Sequence, residues 1–365
     1  MSEWQTFCLK DLGKIVGGAT PSTNNPKNYG NKIAWITPKD LSTLQGRYIK
    51  KGSRSISRLG FKSCSCVLLP KHAILFSSRA PIGYVAIAKK RLCTNQGFKS
   101  IIPNKKIYFE FLYYLLKYHK NNFINMGEGT TIKGIYNIAL GLFKVKIPPT
   151  YYEQQKIART LSILDQKIEN NHKINELLHT LAYKIYEYYF KYKPKNAKLE
   201  QIIIENPKSS IMVKNAQRTQ DKYPFFTSGD NILSYPKAII DGRNCFLNTG
   251  GNAGIKFYVG KASYSTDTWC ICANEFSDYL YLLLSNIKTH INQSFFQGTS
   301  LKHLQKNLLK KYPIYMPSAH EIKKFNQIIM PLLTLISINT RISKKLEQIR
   351  DFLLPLLLKQ QVKPQ

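Results

Sequence analysis

The sequence predicts an α+β fold in which two similar domains are joined by two long helices that pack antiparallel as an intramolecular coiled coil. Three observations support this prediction. A short run of residue types occurs twice, a long amphipathic pattern follows each occurrence, and a segment of mixed, strand-rich composition precedes each of them. A repeat of this kind relates the two halves of the chain by a pseudo-twofold axis.

The repeated run begins at Gly129, where the chain reads Gly-Thr-Thr-Ile-Lys, and returns at Gly298 as Gly-Thr-Ser-Leu-Lys. Each copy leads to a short segment that contains proline, at Pro149 and at Pro317, and then to a long helical pattern. The same order of features in both halves predicts one structural unit used twice.

Apolar residues in both helical patterns recur at spacings of three and four, which is typical of a helix face that meets a partner. A single shift along the sequence superimposes the two seams, with a lone asparagine at the same place in each. The first seam comprises Ile157, Leu161, Leu164, Ile168, Asn171, Ile174, Leu178, Leu181 and Ile185, and the second comprises Phe325, Ile329, Leu332, Ile336, Asn339, Ile342, Leu346, Ile349 and Leu353.

A helix of this length needs an equally long partner to bury its seam, so the two helices are predicted to pack on each other. Asn171 and Asn339 then form polar layers that fix the register at some cost in stability. Alternatively, each helix packs on its own globular domain. Pro331 interrupts the second pattern and predicts either a kink or a helix that begins only after this residue.

The elements of the first half are predicted from composition and spacing. Strand composition marks residues 33–37, 67–69, 73–76 and 84–88, helical spacing marks residues 109–118, and residues 142–148 are extended. Pro194 stops the first long helix. The predicted domains are a first domain over 1–150, a helix over 151–195, a second domain over 196–318 and a helix over 319–365.

The second domain is a shorter version of the first. Trp35 matches Phe225, and Gly83 matches Gly254 at a smaller offset, so the extra residues of the first domain lie between Asp40 and Leu75. This insertion is basic and contains Arg47, Lys50, Lys51, Arg54, Arg58 and Lys62. The two domains therefore share a scaffold and differ most in one basic segment.

The chain has 54 Lys and Arg against 21 Asp and Glu, a formal net charge of +33. Such a surplus indicates a polyanionic partner, and nucleic acid is the first candidate because phosphate contacts release condensed counterions. A lysine-rich proteome would also make the chain basic. The chain start lacks the basic and apolar segments of a signal peptide, and no apolar run is long enough to span a bilayer, so a cytoplasmic protein without a membrane partner is expected.

Catalytic and metal-binding patterns are missing from the sequence. There is no Gly-x-Gly-x-x-Gly run and no P-loop, the histidines are scattered, and the few acidic residues are unpaired. The pairs Cys64/Cys66 and Cys270/Cys272 have Cys-x-Cys spacing, which predicts free thiols in a reducing compartment rather than a zinc site. The chain is therefore interpreted as a binding protein with no cofactor or metal of its own.

Several runs resemble the DNA specificity subunit of type I restriction–modification systems. They are Leu-Phe-Ser-Ser-Arg-Ala-Pro-Ile-Gly-Tyr-Val-Ala-Ile from Leu75, Gly-Thr-Thr-Ile-Lys-Gly from Gly129, Ile-Pro-Pro at Ile147 with Glu-Gln-Gln-Lys-Ile from Glu153, Thr-Gly-Gly-Asn-Ala-Gly from Thr249, and Leu-Leu-Pro from Leu353. The resemblance covers nearly the whole chain, in the order target recognition domain, helix, target recognition domain, helix.

This resemblance implies a non-catalytic subunit that recognises an asymmetric, bipartite site on double-stranded DNA. It also implies docking, through the helices, of two methyltransferase subunits that carry S-adenosylmethionine and of two restriction subunits that use ATP and Mg²⁺. The second half departs from the family pattern, because Ser-Ala-His-Glu from Ser318 replaces the Glu-Gln-Gln stretch and Pro331 interrupts the helix.

Polar side chains on one predicted helix and in four loops are candidates for DNA contact. Arg54, Arg58 and Lys62 are four residues apart, which predicts one basic face of a short helix suited to the major groove. The other candidates are Ser78 and Arg79, Thr130 and Lys133, Thr249 and Asn252, and Thr299 and Lys302, all in loops. A solvated helix face, a loop salt bridge or a turn cap is the structural alternative for each.

Other functions remain open on the sequence alone. A related type II system of the IIB or IIG kind would need a similar subunit. An enzyme with degenerate motifs would methylate or cleave DNA without partners. A charged coiled-coil scaffold for RNA or a membrane would show no sequence preference.

Overall fold

The computed structural model describes residues 3–130, 133–216 and 222–364. The chain forms two compact units, here called the first unit (Met1–Glu169 with Lys345–Gln365) and the second unit (Asn170–Lys344). Each long helix contributes one half to each unit, because both unit boundaries fall inside these helices.

The first unit is a mixed α+β domain that begins with short strands. Its strands are β1 (Gln5–Cys8), β2 (Gly13–Gly17), β3 (Tyr29–Ile36), β4 (Tyr48–Ile49), β5 (Arg54–Ile56), β6 (Ile74–Phe76), β7 (Val85–Ala88), β8 (Cys93–Thr94), β9 (Lys99–Pro103) and β10 (Lys144–Ile147). Its helices are α1 (Leu9–Leu12), α2 (Pro38–Ser42), α3 (Arg58–Lys62), α4 (Phe109–Tyr118), α5 (Lys120–Asn125), α6 (Asn137–Leu142) and the start of α7 (Tyr151–Tyr186). A π-helical turn, Glu187–Lys191, extends α7 towards Pro194.

The second unit is also a mixed α+β domain with short strands. Its strands are β11 (Ala197–Lys198), β12 (Ile204–Glu205), β13 (Tyr223–Phe226), β14 (Leu233–Tyr235), β15 (Arg243–Asn248), β16 (Ile255–Val259), β17 (Ser263–Tyr264), β18 (Thr268–Cys272), β19 (Phe296–Gln297), β20 (His303–Leu304) and β21 (Pro313–Ile314). Its helices are α8 (Val213–Ala216), α9 (Ser277–Asn286), α10 (Lys288–Ser294), α11 (Lys306–Lys310) and most of α12 (Ala319–Leu358).

Strand pairing confirms that one scaffold is used twice. In the first unit β3 pairs antiparallel with β5 and parallel with β8, and in the second unit β13 pairs antiparallel with β14 and parallel with β17. The larger sheets have the orders β2-β9-β6-β7-β4 and β12-β18-β15-β16. The first sheet has β4 as an extra edge strand, and β4 belongs to the predicted insertion.

Each unit builds its core from its own sheet, one largely apolar helix and part of each long helix. In the first unit, Ile157 and Leu161 of α7 and Leu357 of α12 join the residues of α4 in one cluster. In the second unit, Phe190, which follows α7, and Phe325 of α12 join α9 in the same way. The apolar runs of α4 and α9, residues 111–116 and 279–284, are buried in these cores.

Side-chain contacts in the second unit show that α7 and α12 run antiparallel there. In the second unit, Asn171 Nδ2 donates to Ser343 Oγ at 3.1 Å and Asn339 Nδ2 donates to Asn175 Oδ1 at 2.9 Å. Because the residue number rises on one helix as it falls on the other, the helices point in opposite directions. The predicted polar layers at Asn171 and Asn339 therefore lie between the helices, where each asparagine contacts a polar residue of the other helix.

The predicted seam is correct at most positions and wrong at four. Ile157, Leu161, Ile168, Phe325, Ile329 and Ile336 are buried, while Leu164, Leu178, Ile185, Leu332, Leu346 and Leu353 are half-buried. In contrast, Ile174, Leu181, Ile342 and Ile349 are exposed by 42–49%. The contact line continues from Asn171 to Asn175 rather than to Ile174, because the helices align through amide and hydroxyl hydrogen bonds at this layer.

Pro331 does not delay the start of the second long helix. α12 begins at Ala319 and continues through Pro331 to Leu358. A proline inside a helix removes one backbone hydrogen bond. The expectation of a helix that starts only after this residue is therefore wrong, since burial of Phe325 and Ile329 stabilises the turns before it.

A buried ionic cluster fixes the insertion of the first unit to the helices. Arg47 is only 3% exposed, so it is a structural residue rather than one of the surface cations of the insertion. Its guanidinium contacts Glu110 of α4 at 2.9 Å and Glu169 of α7 at 3.1 Å. Beside it, Arg350 of α12 contacts Asp165 of α7 at 2.7 Å. Both long helices and the insertion therefore meet in one charged cluster.

We predict that Arg47→Met destabilises the protein by about 3 kcal/mol, because it leaves the half-buried carboxylates of Glu110 and Glu169 without their cation. Urea denaturation with a probe in the first unit measures this change. Lys50→Met is the matched control, since Lys50 lies in the same insertion but is exposed. Equal stability of the two variants would contradict the structural role of Arg47.

Candidate nucleic-acid interface

In the first unit, two segments that are distant in sequence are held side by side. The N–H of Ile135 donates to the carbonyl oxygen of Ser78 at 2.9 Å, and Arg79 forms an isolated antiparallel bridge with Gly134. The hairpin tip between β6 and β7 therefore lies beside the loop that follows α5. We call residues 77–84 and 128–134 the first paired loops; Thr131 and Ile132 of this range lie outside the described residues.

The second unit repeats this arrangement. The N–H of Leu304 donates to the carbonyl oxygen of Thr249 at 3.0 Å, and Gly250 forms an isolated antiparallel bridge with His303. We call residues 248–254 and 298–303 the second paired loops. Candidates for DNA contact that the sequence places far apart are thus brought together in each unit, Arg79 with Lys133 and Asn252 with Lys302.

Backbone hydrogen bonds correct one detail of the predicted repeat. In the hairpin of the first unit the N–H of Ser77 donates to Tyr84 O, and in the second unit the N–H of Asn248 donates to Gly254 O, both at 2.9 Å. Gly254 therefore corresponds to Tyr84 and not to Gly83. The hairpin of the second unit is one residue shorter, which single-residue matching in a loop does not detect.

The hydroxyl groups of Ser78 and Thr249 have partners inside their own units. Ser78 Oγ donates to Gly97 O at 3.1 Å, and Thr249 Oγ1 donates to Asp267 O at 2.8 Å. Ser78 is also 2% exposed. Both hydroxyls hold the hairpin tip against the neighbouring turn, so a contact with DNA would cost them these hydrogen bonds.

The first paired loops present positive charge to solvent. Arg79, Thr130 and Lys133 are exposed. Burial lowers the pKa of Lys99, and the nearby charge of Arg79 lowers it further. Cations this close to each other repel one another in the free protein, and a bound polyanion would relieve this repulsion.

The second paired loops present Asn252, Thr299 and Lys302, which are all exposed. Lys256, by contrast, is not available at this surface. Its Nζ donates to the carbonyl oxygens of Thr227 at 2.6 Å and Gly229 at 2.7 Å. Lys256 thus fixes the loop that follows β13 to the hairpin of β15 and β16.

The basic residues of the insertion do not form the predicted helix face. Arg54 lies on β5, where it pairs with Trp35 of β3, while Arg58 and Lys62 are the first and last residues of α3. The hydroxyl of Ser57 caps α3 and accepts from the N–H of Gly60 at 3.0 Å, so the helix cannot extend back to Arg54. All three cations are nevertheless exposed.

Two polar residues of these surfaces escaped the sequence analysis. Lys99 lies near Arg79, and exposed His303 follows Lys302. The repeat gives little reason to select His303 as a candidate for DNA contact. Its equivalent in the first unit is Gly134, which has no side chain to compare. Lys99 has no motif around it, and only the pairing of β9 within the sheet places it there.

The cysteines and helices give no further site within the described residues. Cys64 Sγ lies 3.2 Å from Cys66 Sγ, and all cysteines are free thiols. In the described part of the chain, no group of three or more His, Cys, Asp or Glu side chains is placed to hold a metal ion. No helix there combines the length and apolar character that a membrane span requires.

The sequence of the chain is similar to those of known proteins. A family model described as "Type I restriction modification DNA specificity domain" matches residues 1–180 and again residues 195–348. The chain is 31% identical to the type I restriction enzyme MjaIX specificity subunit of Methanocaldococcus jannaschii, over 97% of this chain and 92% of that protein. It is also 34% identical to the HindI specificity subunit of Haemophilus influenzae, over 31% of this chain and 24% of that protein.

The fold has a counterpart among solved structures. The crystal structure of a type I restriction–modification system S subunit from M. genitalium superimposes with a TM-score of 0.63 at 17% sequence identity. The match covers 97% of this chain and 96% of that chain. At this identity the likeness concerns the fold alone.

We predict that Gly298→Ala opens the second paired loops. Gly298 has φ +138°, and a Cβ there would lie 2.4 Å from Leu301 O. Because Lys302 O accepts from the N–H of Gly251 at 2.9 Å, hydrogen exchange of this amide should become about ten- to a hundredfold faster.

Gly242→Ala is the matched control for this measurement. Gly242 also has a positive φ, +93°, but a Cβ there has no described atom within 4 Å. This variant should leave exchange at Gly251 unchanged. Undiminished protection at Gly251 in Gly298→Ala would show that the loops do not depend on this turn.

Proposed function

The chain belongs to the family of type I restriction–modification DNA specificity subunits, with two copies of the family's domain, and we propose that its two sets of paired loops read an asymmetric, bipartite DNA site. One observation carries this proposal. The same backbone arrangement occurs in both units, but the side chains it presents differ, with Arg79 in the first hairpin where the second has Gly250. Two similar frames with different contact residues suit two different short segments of duplex.

The side chains of the paired loops have the chemistry that DNA contact requires. Thr130 and Lys133, like Thr299 and Lys302, combine a hydroxyl with an ammonium group, which suits phosphate oxygens. Arg79 can pair with the acceptors of guanine, and Asn252 with the adenine edge. Phosphate contacts would position each unit, while these two residues contribute to sequence selectivity.

The insertion adds a second contact surface to the first unit. Arg54, Arg58 and Lys62 are exposed on β5 and α3, and the second unit has no equivalent of α3 in its described residues. The cluster around Arg47 fixes this insertion to the long helices. The first unit therefore reads its half-site with more cations than the paired loops alone provide.

The long helices supply a surface for partner subunits. In the second unit, Ile174, Leu177 and Leu181 lie at spacings of three and four on α7 and are exposed by 42%, 70% and 49%. An apolar stripe of this kind marks a protein interaction site. We assign it to a methyltransferase subunit, with two such subunits carrying S-adenosylmethionine and two restriction subunits using ATP and Mg²⁺ in the full assembly. This chain itself then performs no catalysis.

We predict that the chain, together with its methyltransferase, binds the sequence that the complex methylates about a thousandfold more tightly than a scrambled duplex. The double variant Arg79→Gln/Lys133→Gln should bind this sequence at least about tenfold more weakly and lower the salt dependence by about two units. Fluorescence anisotropy across a salt titration measures both quantities.

Lys90→Gln is the control for charge alone. Lys90 is exposed and lies beyond the end of β7 that is opposite to the hairpin tip. The Lys90→Gln variant should bind the methylated sequence as tightly as the wild type does. Equal affinity of the wild type for the scrambled duplex at every salt concentration would defeat the proposed function.

We predict that Leu177→Ser/Leu181→Ser weakens association with the methyltransferase by about tenfold or more, because two apolar side chains are lost from the contact. Analytical ultracentrifugation of the mixed proteins measures the association. Leu308→Ser is the control, since Leu308 is 46% exposed in the same unit but lies on α11. A loss of the same size in both variants would argue against docking on α7.

A further inference from the structure

The second paired loops carry one large apolar side chain on an otherwise polar turn. Leu301 is 57% exposed, and its neighbours Thr299, Ser300, Lys302 and His303 are all exposed and polar. Single exposed leucines are common on protein surfaces and need no explanation. This residue differs from such cases in the way its loop is held and in its recurrence along the sequence.

The loop around Leu301 is fixed at both ends. β19 and β20 pair Phe296 with Leu304 and Gln297 with His303, so the loop is a closed hairpin. Gly298 adopts φ +138° and allows a backbone approach to Leu301 O that no side chain would permit. The N–H of Gly251 holds Lys302 O at 2.9 Å. The leucine is thus presented at a defined position instead of folding back onto the core.

The position of Leu301 in the repeated run is apolar in both halves of the sequence. The run from Gly129 has Ile132 where the run from Gly298 has Leu301, with hydroxyl residues before it and lysine after it. Ile132 lies outside the described residues. Both copies of this loop have glycine, threonine, an apolar residue and lysine in the same order. A chance surface leucine would not recur in this way.

We propose that Leu301 is an apolar wedge that packs against a base step of the DNA duplex and partly unstacks it. This inference rests on the proposed function and adds a mode of contact to it. Apolar side chains inserted between base pairs, leucine and isoleucine among them, are a known means of deforming a duplex. Thr299 and Lys302 flank the wedge and would hold the loop on the phosphates at either side of the step.

The surroundings of Leu301 favour DNA over a protein partner. Protein interfaces are depleted in lysine at their core and place apolar residues next to one another. Leu301 instead stands alone between a hydroxyl group and two basic residues, Lys302 and His303. If the loop entered the major groove, Leu301 could instead contact the methyl group of thymine, and this contact would not unstack the bases.

The test uses the full chain without methyltransferase, so that no enzyme can flip a base. The probe is the duplex that the complete complex methylates, with 2-aminopurine replacing one adenine at a time, because this base fluoresces more strongly when unstacked. At saturating wild-type chain we expect the fluorescence to rise by about twofold or more at one step of a half-site. Leu301→Met should keep the rise, and Leu301→Ala should lose it and bind about tenfold more weakly.

Lys302→Gln separates the wedge from the phosphate contact beside it. This variant should bind more weakly, yet show the full rise once the duplex is saturated. If the wild-type chain binds selectively but no step unstacks, or if Leu301→Ala keeps the rise, the wedge is refuted and the proposed function stands. If the wild-type chain together with its methyltransferase does not distinguish the methylated sequence from a scrambled one, the proposed function fails as well.

Replacement of thymine by deoxyuridine examines the methyl contact. If this replacement weakens wild-type binding as much as Leu301→Ala does, and no fluorescence rise accompanies binding, Leu301 contacts a thymine methyl group and the wedge is overturned. If deoxyuridine has no effect at the step where fluorescence rises, the wedge is supported.

Discussion

Half of each long helix packs into the core of each unit, and the rest of the structure depends on this packing. In the first unit the contributions come from Leu161 and Leu357, and in the second from Phe190 and Phe325. Neither core is complete without residues that lie far away in the sequence. Because Asn175 contacts Asn339 in the second unit, a change in helix alignment would leave buried amide groups unpaired, which is costly.

The two units meet the same demand for packing in different ways. The first unit has a buried ion pair between Asp165 and Arg350, whereas the second unit has the apolar residues Leu333 and Ala182 at the equivalent places of the repeat. The charge in the first unit goes with its insertion, since Arg47 lies 4.0 Å from Asp165. The second unit lacks Arg47, and its buried ion pair lies elsewhere, between Arg243 of β15 and Asp278 of α9.

The repeat was predictable from sequence because it depends on residue types at fixed spacing. The side-chain contacts between the repeated elements were less predictable from sequence. Counting apolar residues assigns Ile174 to the seam, but the helices align through Asn175, and a periodic pattern contains no information on which hydrogen bonds form. Arg54 illustrates the same limit: a spacing of four suggests a helix, and pairing with β3, a long-range contact, makes this segment a strand instead.

At the candidate site, local sequence motifs identify the segments that take part but not their arrangement in space. The segments around Arg79 and Lys133 are recognisable as motifs, but only the backbone bonds of Ser78 and Gly134 reveal that they form one surface. The burial of Ser78, a candidate for DNA contact, likewise depends on a contact that is distant in sequence, the hydrogen bond from its hydroxyl to Gly97 O. Repeated architecture with divergent tips is then the physical basis for our proposal that the two units read different DNA segments.

The central claim is that two similar units with different contact residues read one asymmetric, two-part site. Sequencing of methylated adenines in cells that express this chain with its methyltransferase tests it most directly. The account predicts one motif made of two different specified segments separated by unspecified bases. A continuous motif, a palindromic motif or methylation without sequence preference would contradict it.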